Sequence, residues 1–504
     1  MATRQIISKH LVQDSTTYVG KDGELWVDTA SNVLKISDGS TAGGVTITTD
    51  GGGALTWAAI TNINNAEGPL AIAIGRSSGV SSDTLTVAIG NLAGETDQGA
   101  GGLAIGYRAG KTTQGVNAVA IGASAGITTQ GQSATALGSY SGQTTQGTKA
   151  VALGYEAGKT SQGVNAVAIG ASAGEGTQGA ESIAVGNLAG QTSQGRDAVA
   201  IGNSAGKGSQ GASGLAIGYH AGLVSQGGNA MAVGTFAGKT NQAGNAVAVG
   251  NLAGETSQGV SATAIGDTAG SISQEIYATA IGVGAGSVTQ RTKAVAIGLN
   301  AAFTNQGASS IAIGDEAGKT NQSEQAVAIG TDAGLTTQGT LAIAIGGLAG
   351  STSQSAGSVA VGYQAGKTTQ GSNAVAIGDQ AAMTNQGAQA VAMGYFAGKT
   401  TQSSGAVAIG YFAGNTTQGV SSVAVGERAG LTNQGVNAVA IGLNAGLTNQ
   451  AANSIIINAT GAALQNTSVS RFIVKPVRAV AGALPTGFKQ MAYNPSTGEI
   501  ISYG

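Results

Sequence analysis

From about residue 71 onward, small and branched apolar side chains alternate in short runs that each end on glycine, as in Ala118-Val119-Ala120-Ile121-Gly122. Period two is the signature of a strand. Helix is disfavoured, because two to four glycines fall in each 16 residues and each costs about 1 kcal/mol inside a helix. Between the apolar runs lies a polar one of the type Lys111-Thr112-Thr113-Gln114, ended by Gly115. The pattern predicts two short strands per unit, with corners at Gly122, at Gly115 and at the Ala109-Gly110 pair, where glycine supplies positive φ. Ala replaces the glycine of that pair only at Ala302 and Ala382.

The closing glycine recurs at Gly90, Gly106, Gly122 and onward in steps of 16 to Gly442, giving 23 copies without an insertion or deletion. Gly75 starts the series one residue out of step, and Asn458 stands where the next glycine would fall. One such unit cannot bury its own apolar face, so a strict period of this size implies stacked turns. The fold class expected is all-β: a parallel β-solenoid of 16-residue coils with small β-rich segments at its ends. The chain divides into residues 1–53, an attachment or assembly segment built on a β-hairpin; 54–70, a linker; 71–458, the solenoid shaft; and 459–504, a C-terminal cap or tip. All four prolines (Pro69, Pro476, Pro485, Pro495) and both tryptophans (Trp26, Trp57) lie outside the 23 copies, as expected if proline would delete a ladder hydrogen bond.

Comparing the copies shows which columns accept change. The residue before the turn glycine is always Ile, Val, Leu or Met, and two places earlier it is Val, Ile, Leu, Met or Thr. Between them stands Ala in all 23 copies, among them Ala88, Ala104, Ala120, Ala136, Ala376 and Ala440. A strand apolar on both faces should be covered on both. Either face can fill the coil interior; the other then needs a second surface. Several chains packed about a common axis would supply it, with the alanine stripe as the small-residue contact column. Left bare, a stripe of this length exceeds the apolar patch that a soluble monomer normally exposes.

In the polar strand the Thr112 column is Thr in 18 of 23 copies, and otherwise Val224, Ile272, Val288, Gly176 or Gly208. That tolerance for shape over hydroxyl places it inside. Two residues on, Gln occurs in every copy, including Gln98, Gln114, Gln130, Gln146, Gln162, Gln370, Gln434 and Gln450. By alternation it shares the side of the threonine. Stacked at the strand spacing of about 4.7 Å, these amides are expected to form a structural ladder that bonds from coil to coil. Lys111, Lys159, Lys207, Glu95, Glu175 and Glu255 share a variable column that faces water.

Charge and composition narrow the function. Only 9% of residues are charged and the formal net charge is −2, too little field to hold a phosphate backbone or anionic lipid. Neither nucleic acid nor membrane insertion is expected. With no Cys and two His (His10, His220), thiolate chemistry and the usual zinc sets are missing; no cofactor and no metal is expected. The N-terminal residues lack the apolar run and small-residue cleavage site of a secretory signal, so export is not expected.

Other candidate chemistry is weighed in place. Gly282-Val283-Gly284-Ala285-Gly286 resembles a nucleotide loop but sits in repeat register, as a corner. Glu316 and Asp332 occupy one column in adjacent coils, a spacing that an acid/base pair or cation site would use. They recur with no Arg or His, and the chain is read as no enzyme. Asn415-Thr416-Thr417 and Asn458-Ala459-Thr460 match glycosylation sequons. Tyr107, Tyr155, Tyr219, Tyr363, Tyr395 and Tyr411 all follow a turn glycine. Tyr395, Phe396, Tyr411 and Phe412 thus form an adjacent-coil cluster that can stack on host-surface sugars or pack on a neighbouring chain.

The segment Asn117 to Gly122, Asn-Ala-Val-Ala-Ile-Gly, returning at Asn165 to Gly170 and Asn437 to Gly442, resembles head repeats of trimeric autotransporter adhesins of the YadA type. The likeness covers about residues 71–458 and implies a left-handed β-roll with three chains about one axis. The strict 16-residue unit with Thr-x-Gln-Gly departs from that family, as does the lack of an export signal and membrane-anchoring barrel. Gly23 to Asp28 followed by Val33 to Gly39 reads as a hairpin. It looks like N-terminal segments of phage tail-fibre and related virion proteins. Arg471 to Arg478 and Met491 to Ile500 resemble the ends of fibre-like proteins of large phages and giant DNA viruses.

The reading is a homotrimeric virion fibre, a rigid tail or surface fibre assembled in the host cytoplasm. Its N-terminal region would join a baseplate, capsid or tail protein, and its partner outside would be a host-surface glycan or protein. A bacterial cell-surface adhesin is the alternative. A polysaccharide-degrading tailspike and an ice-binding solenoid using Thr rows come after it; against the last stands the alternation that puts Thr beside interior Gln.

Overall fold

A computed structural model describes residues 84–477 continuously, together with 25–28, 33–36, 40, 45–46, 48–49, 53–54, 72–75, 78–79, 487, 490–493 and 500–503. The expected linker, 54–70, lies outside the described residues except for Ala54. The chain divides into two units, Met1–Lys293 and Ala294–Gly504. Both are parallel β-solenoids, and together they hold about 25 coils of about 16 residues. Among the described residues there is no helix.

Each coil contributes one strand to each of two parallel ladders. In the first, Val119 pairs Leu103 and Thr135, and Ala120 pairs Ala104 and Ala136, so residues 16 apart lie side by side. In the second, Gln130 pairs Gln114 and Gln146. The same register runs through the second unit, where Ala376 pairs Ala360 and Ala392, and Gln370 pairs Gln354 and Gln386. Corners join the ladders and are themselves hydrogen-bonded from coil to coil: Gly110 N donates to Ala125 O at 2.9 Å and Ser124 N to Tyr107 O at 2.8 Å. An inserted residue would break these bonds, which explains the unvarying length.

Gly122 shows why its column admits nothing else. Its φ is +131°, and a Cβ built there would lie 2.6 Å from the carbonyl carbon and oxygen of Gly138 in the next coil. The corners also turn through the left-handed region at non-glycine positions, such as Arg108 at +59° and Asn117 at +57°.

The interior is narrow and lined by small groups. Ala88 is 1% exposed and Ala104, Ala120, Ala136, Ala376 and Ala440 are 0%. The corner alanines, such as Ala109 and Ala125, are equally buried. Space is so limited that a Cβ on Gly126 would meet Ala120 Cβ at 3.3 Å and Gln130 Cδ at 3.1 Å. The expectation that the alanine stripe is a contact column between chains is therefore corrected. These alanines fill the coil of their own chain. The Val and Ile on either side point outward and are half-buried, with Leu137 and Ile441 each 40% exposed.

A second correction concerns threonine. Thr112, Thr128 and Thr144 are exposed, as are Thr113, Thr129 and Thr145, while Gln114, Gln130 and Gln146 are buried. Strict alternation fails at this strand. In coils such as Thr113–Gln114 the strand begins one residue after the Thr112 column, which still belongs to the corner. In coils such as Thr240–Gln242 the middle residue, Asn241, has φ +54° and reverses the sense of the chain.

The first ladder extends beyond the expected shaft limit at 458. Ile455–Asn458 pairs in parallel with Phe472–Lys475, and Ile456 stands opposite Ala440 and Ile473. Ile456, fully buried where every earlier coil has Ala, has room because Asn466 takes the Gln column, one methylene shorter. At the N-terminal end Leu25–Asp28 and Val33–Ile36 form the expected antiparallel hairpin, with Leu25 opposite Ile36. Val45–Thr46 adds a third strand.

Candidate functional surfaces

The glutamine column is interior and bonded in two directions. Gln114 Nε2 donates to Leu103 O at 2.9 Å and Ala118 O at 3.2 Å, tying one ladder to the other across the coil. The same nitrogen donates to Gln130 Oε1 in the next coil at 3.1 Å, and Gln130 and Gln146 repeat the step to Gln146 and Gln162. From Gln306 to Gln418 the chain of amides is unbroken, at 3.0 to 3.2 Å. Gln434 donates to Gln450 at 3.1 Å. Gln98 bonds only to backbone, at Val87 O and Gly102 O. The Oε1 atoms of Gln98, Gln114, Gln178, Gln194, Gln226 and Gln434 have no partner among the described residues. This column is a spine: every copy from Gln98 to Gln450 is at most 4% exposed.

The function-bearing surfaces are therefore the outward ladder faces and the corners. Aromatic side chains gather at the corner after the turn glycine. Tyr395 and Tyr411 stack at 5.5 Å between centroids and 9° between planes, while Phe396 meets Phe412 edge-on at 4.9 Å. Lys399 Nζ sits 3.9 Å from the Phe396 ring centroid. Tyr395 and Tyr411 stay 42% and 45% exposed, so the cluster remains open at the surface. A second cluster joins Tyr219, His220 and Phe236, with Tyr219 stacked on His220 at 3.9 Å. Burial, with Lys239 and Lys207 nearby, pushes the His220 imidazole below its ordinary pKa. Column composition alone did not signal this second group, because Thr235, not Tyr, stands at the Tyr column of the coil that carries Phe236.

In the acidic column Glu316, but not Asp332, forms an ion pair among the described residues. Glu316 Oε1 accepts from Lys319 Nζ at 2.7 Å. Burial, then Glu316 and Asp315, hold the Asp332 carboxyl above its ordinary value. In the charged column Lys111 lies 3.4 Å from Glu95, and Lys239 lies 3.1 Å from Glu255. The sequon residues are engaged by backbone: Asn415 Nδ2 donates to Phe396 O, and Asn458, 2% exposed, donates to Leu443 O and Ala462 O. Gly282, Gly284 and Gly286 all have positive φ at a corner in repeat register.

No protein family, curated protein or solved structure matches this chain. Among the described residues no group of three or more His, Cys, Asp or Glu is placed to hold a metal ion, and no helix is long and apolar enough to cross a membrane.

Proposed function

We propose that this chain is the protomer of a homotrimeric fibre of a virion, a rod that spans from the particle to the host surface and acts by reach and attachment, without turnover. The observation that carries this reading is the outward Val/Ile pair of the first ladder. In both units it presents half-buried apolar side chains coil after coil, from Val119 and Ile121 to Val439 and Ile441. Covering that stripe with copies of the same chain removes apolar area that one chain leaves wet. The alanine column, enclosed already, takes no part.

Assembly in the cytoplasm of an infected cell, and joining to a baseplate, capsid or tail protein through residues 1–53, follow from the likeness of the chain ends to virion fibre proteins. The open Tyr395, Phe396, Tyr411 and Phe412 cluster is the proposed host contact, its rings offering aromatic edges and faces to a surface glycan or protein. Sedimentation equilibrium of the purified chain tests the assembly. A mass of three protomers is expected, and Val407→Lys with Val423→Lys should shift it toward one. A folded monomer at high concentration would end the proposal.

A further inference from the structure

The second ladder turns outward the row of threonines that alternation had assigned to the interior. In the second unit this row is unbroken over ten coils, from Thr304, Thr320 and Thr336 in steps of 16 to Thr448. Strand pairing sets Thr304 opposite Thr320 and Thr432 opposite Thr448. In the coils between them the row lies at the corner, where backbone bonds such as Thr352 N to Lys367 O and Thr368 N to Met383 O hold it from coil to coil. Beside it runs a second row in which every residue is Thr, Ser or Asn, including Thr337, Ser353, Thr369 and Asn385. Neither row carries a charge in these coils.

Three further observations bear on what such a face does. First, no hydroxyl of the Thr304 to Thr448 row bonds to another group among the described residues. Second, two of the three lysines that precede a threonine of this row turn away: Lys319 bonds back to Glu316, and Lys399 lies over the Phe396 ring at the corner. Third, the face is backed by the unbroken Gln306 to Gln418 spine, which fixes both ladders rigidly. Strand propensity explains a β-branched residue here, and the first unit does accept Val224, Ile272 and Val288 in this column. Propensity does not explain ten threonines in succession, with Thr336, Thr352 and Thr400 exposed and the other seven half-buried.

We propose that this face binds ice. A methyl and a hydroxyl repeated at the strand spacing of about 4.7 Å, close to an oxygen repeat of the ice lattice, hold water in lattice positions. The missing charges avoid the strongly hydrated centres that would break that order. The ligand class is an ordered water lattice, and the contact depends on register, which a rigid solenoid preserves. The inference stands apart from the fibre reading, since the Val/Ile face and the threonine face belong to different ladders.

The test uses the full chain. Wild-type protein is expected to show thermal hysteresis, to facet ice crystals and to partition into slowly growing ice. Thr352→Lys with Thr384→Lys should lower that partition about tenfold while leaving the circular-dichroism melt unchanged. Thr352→Val with Thr384→Val, side chains this column already accepts, keeps shape and folding and should lose less. A folded wild type without hysteresis or ice partition would overturn the proposal, as would a lysine variant that partitions like wild type. Loss of self-association in the lysine variant would assign the face to chain–chain contact instead.

Discussion

Gln114 and Gln130 are bonded amide to amide at 3.1 Å, and each also reaches across its coil to two backbone carbonyls of the opposite ladder. A side chain that is polar and fully enclosed thereby becomes the element that spaces the two ladders and couples successive coils. Removing one member takes a second donor from carbonyls that the ladder already bonds, such as Ala134 O, which accepts from Val119 N. It also leaves the next amide oxygen without its donor, at about 1–3 kcal/mol for a buried group left without a partner.

Gln130→Leu is accordingly expected to weaken the stack locally, because it removes the cross-coil donor to Val119 O and Ala134 O and the donor to Gln146 Oε1. Hydrogen–deuterium exchange should speed up in the coils around residues 119–146, while distant coils keep their protection, as in other nearest-neighbour repeat stacks.

Gly122→Ala should be worse. The added methyl runs into the Gly138 carbonyl, which is backbone and cannot swing aside. A loss of about 3 kcal/mol or more is expected, read as early proteolysis at this corner. A substitution that resists the protease like wild type would show that the coils can part there.

Ala382 is held at φ +46°, where all but one of the other copies have Gly. A left-handed L-residue costs about 1–2 kcal/mol, offset by about 0.5–1 kcal/mol of extra chain entropy when Gly is introduced. Ala382→Gly should therefore stabilise its coils by about 0.5–1 kcal/mol, seen as slower exchange of the Ala382 amide, which donates to Ala397 O.

The raised Asp332 carboxyl sets a pH dependence. A group whose folded pKa lies above its unfolded value favours folding while protonated, and that contribution is lost as pH rises through the folded pKa. Asp332→Asn should thus raise the melting temperature more at pH 7 than at pH 3.5. Equal shifts at both values would show that neither burial nor the charges of Glu316 and Asp315 strain the carboxylate.

Much of the architecture was legible because repetition compares the protein with itself. Invariant Gly122 and Gln114 columns, and Ala between two branched residues, specify coil length, register and a glutamine spine without reference to any other protein. The direction of each face was not legible. Alternation separates Ala120 from Val119 and Ile121 but does not say which side is in, and it fails outright where Thr112 lies in a corner or Asn241 turns left-handed. The aromatic corner was visible as a Tyr column, yet whether Tyr395 stacks on Tyr411 or stands apart depends on side-chain angles that no spacing encodes.

Sequence alone determined the sixteen-residue parallel stack, since a corner glycine and a ladder amide in every coil permit no other period. Tertiary structure decided what faces solvent. A coil closed by two short strands leaves an interior wide enough only for methyl groups and one amide, so alanine and glutamine go inside, and valine, isoleucine and threonine are turned out to meet water or a partner.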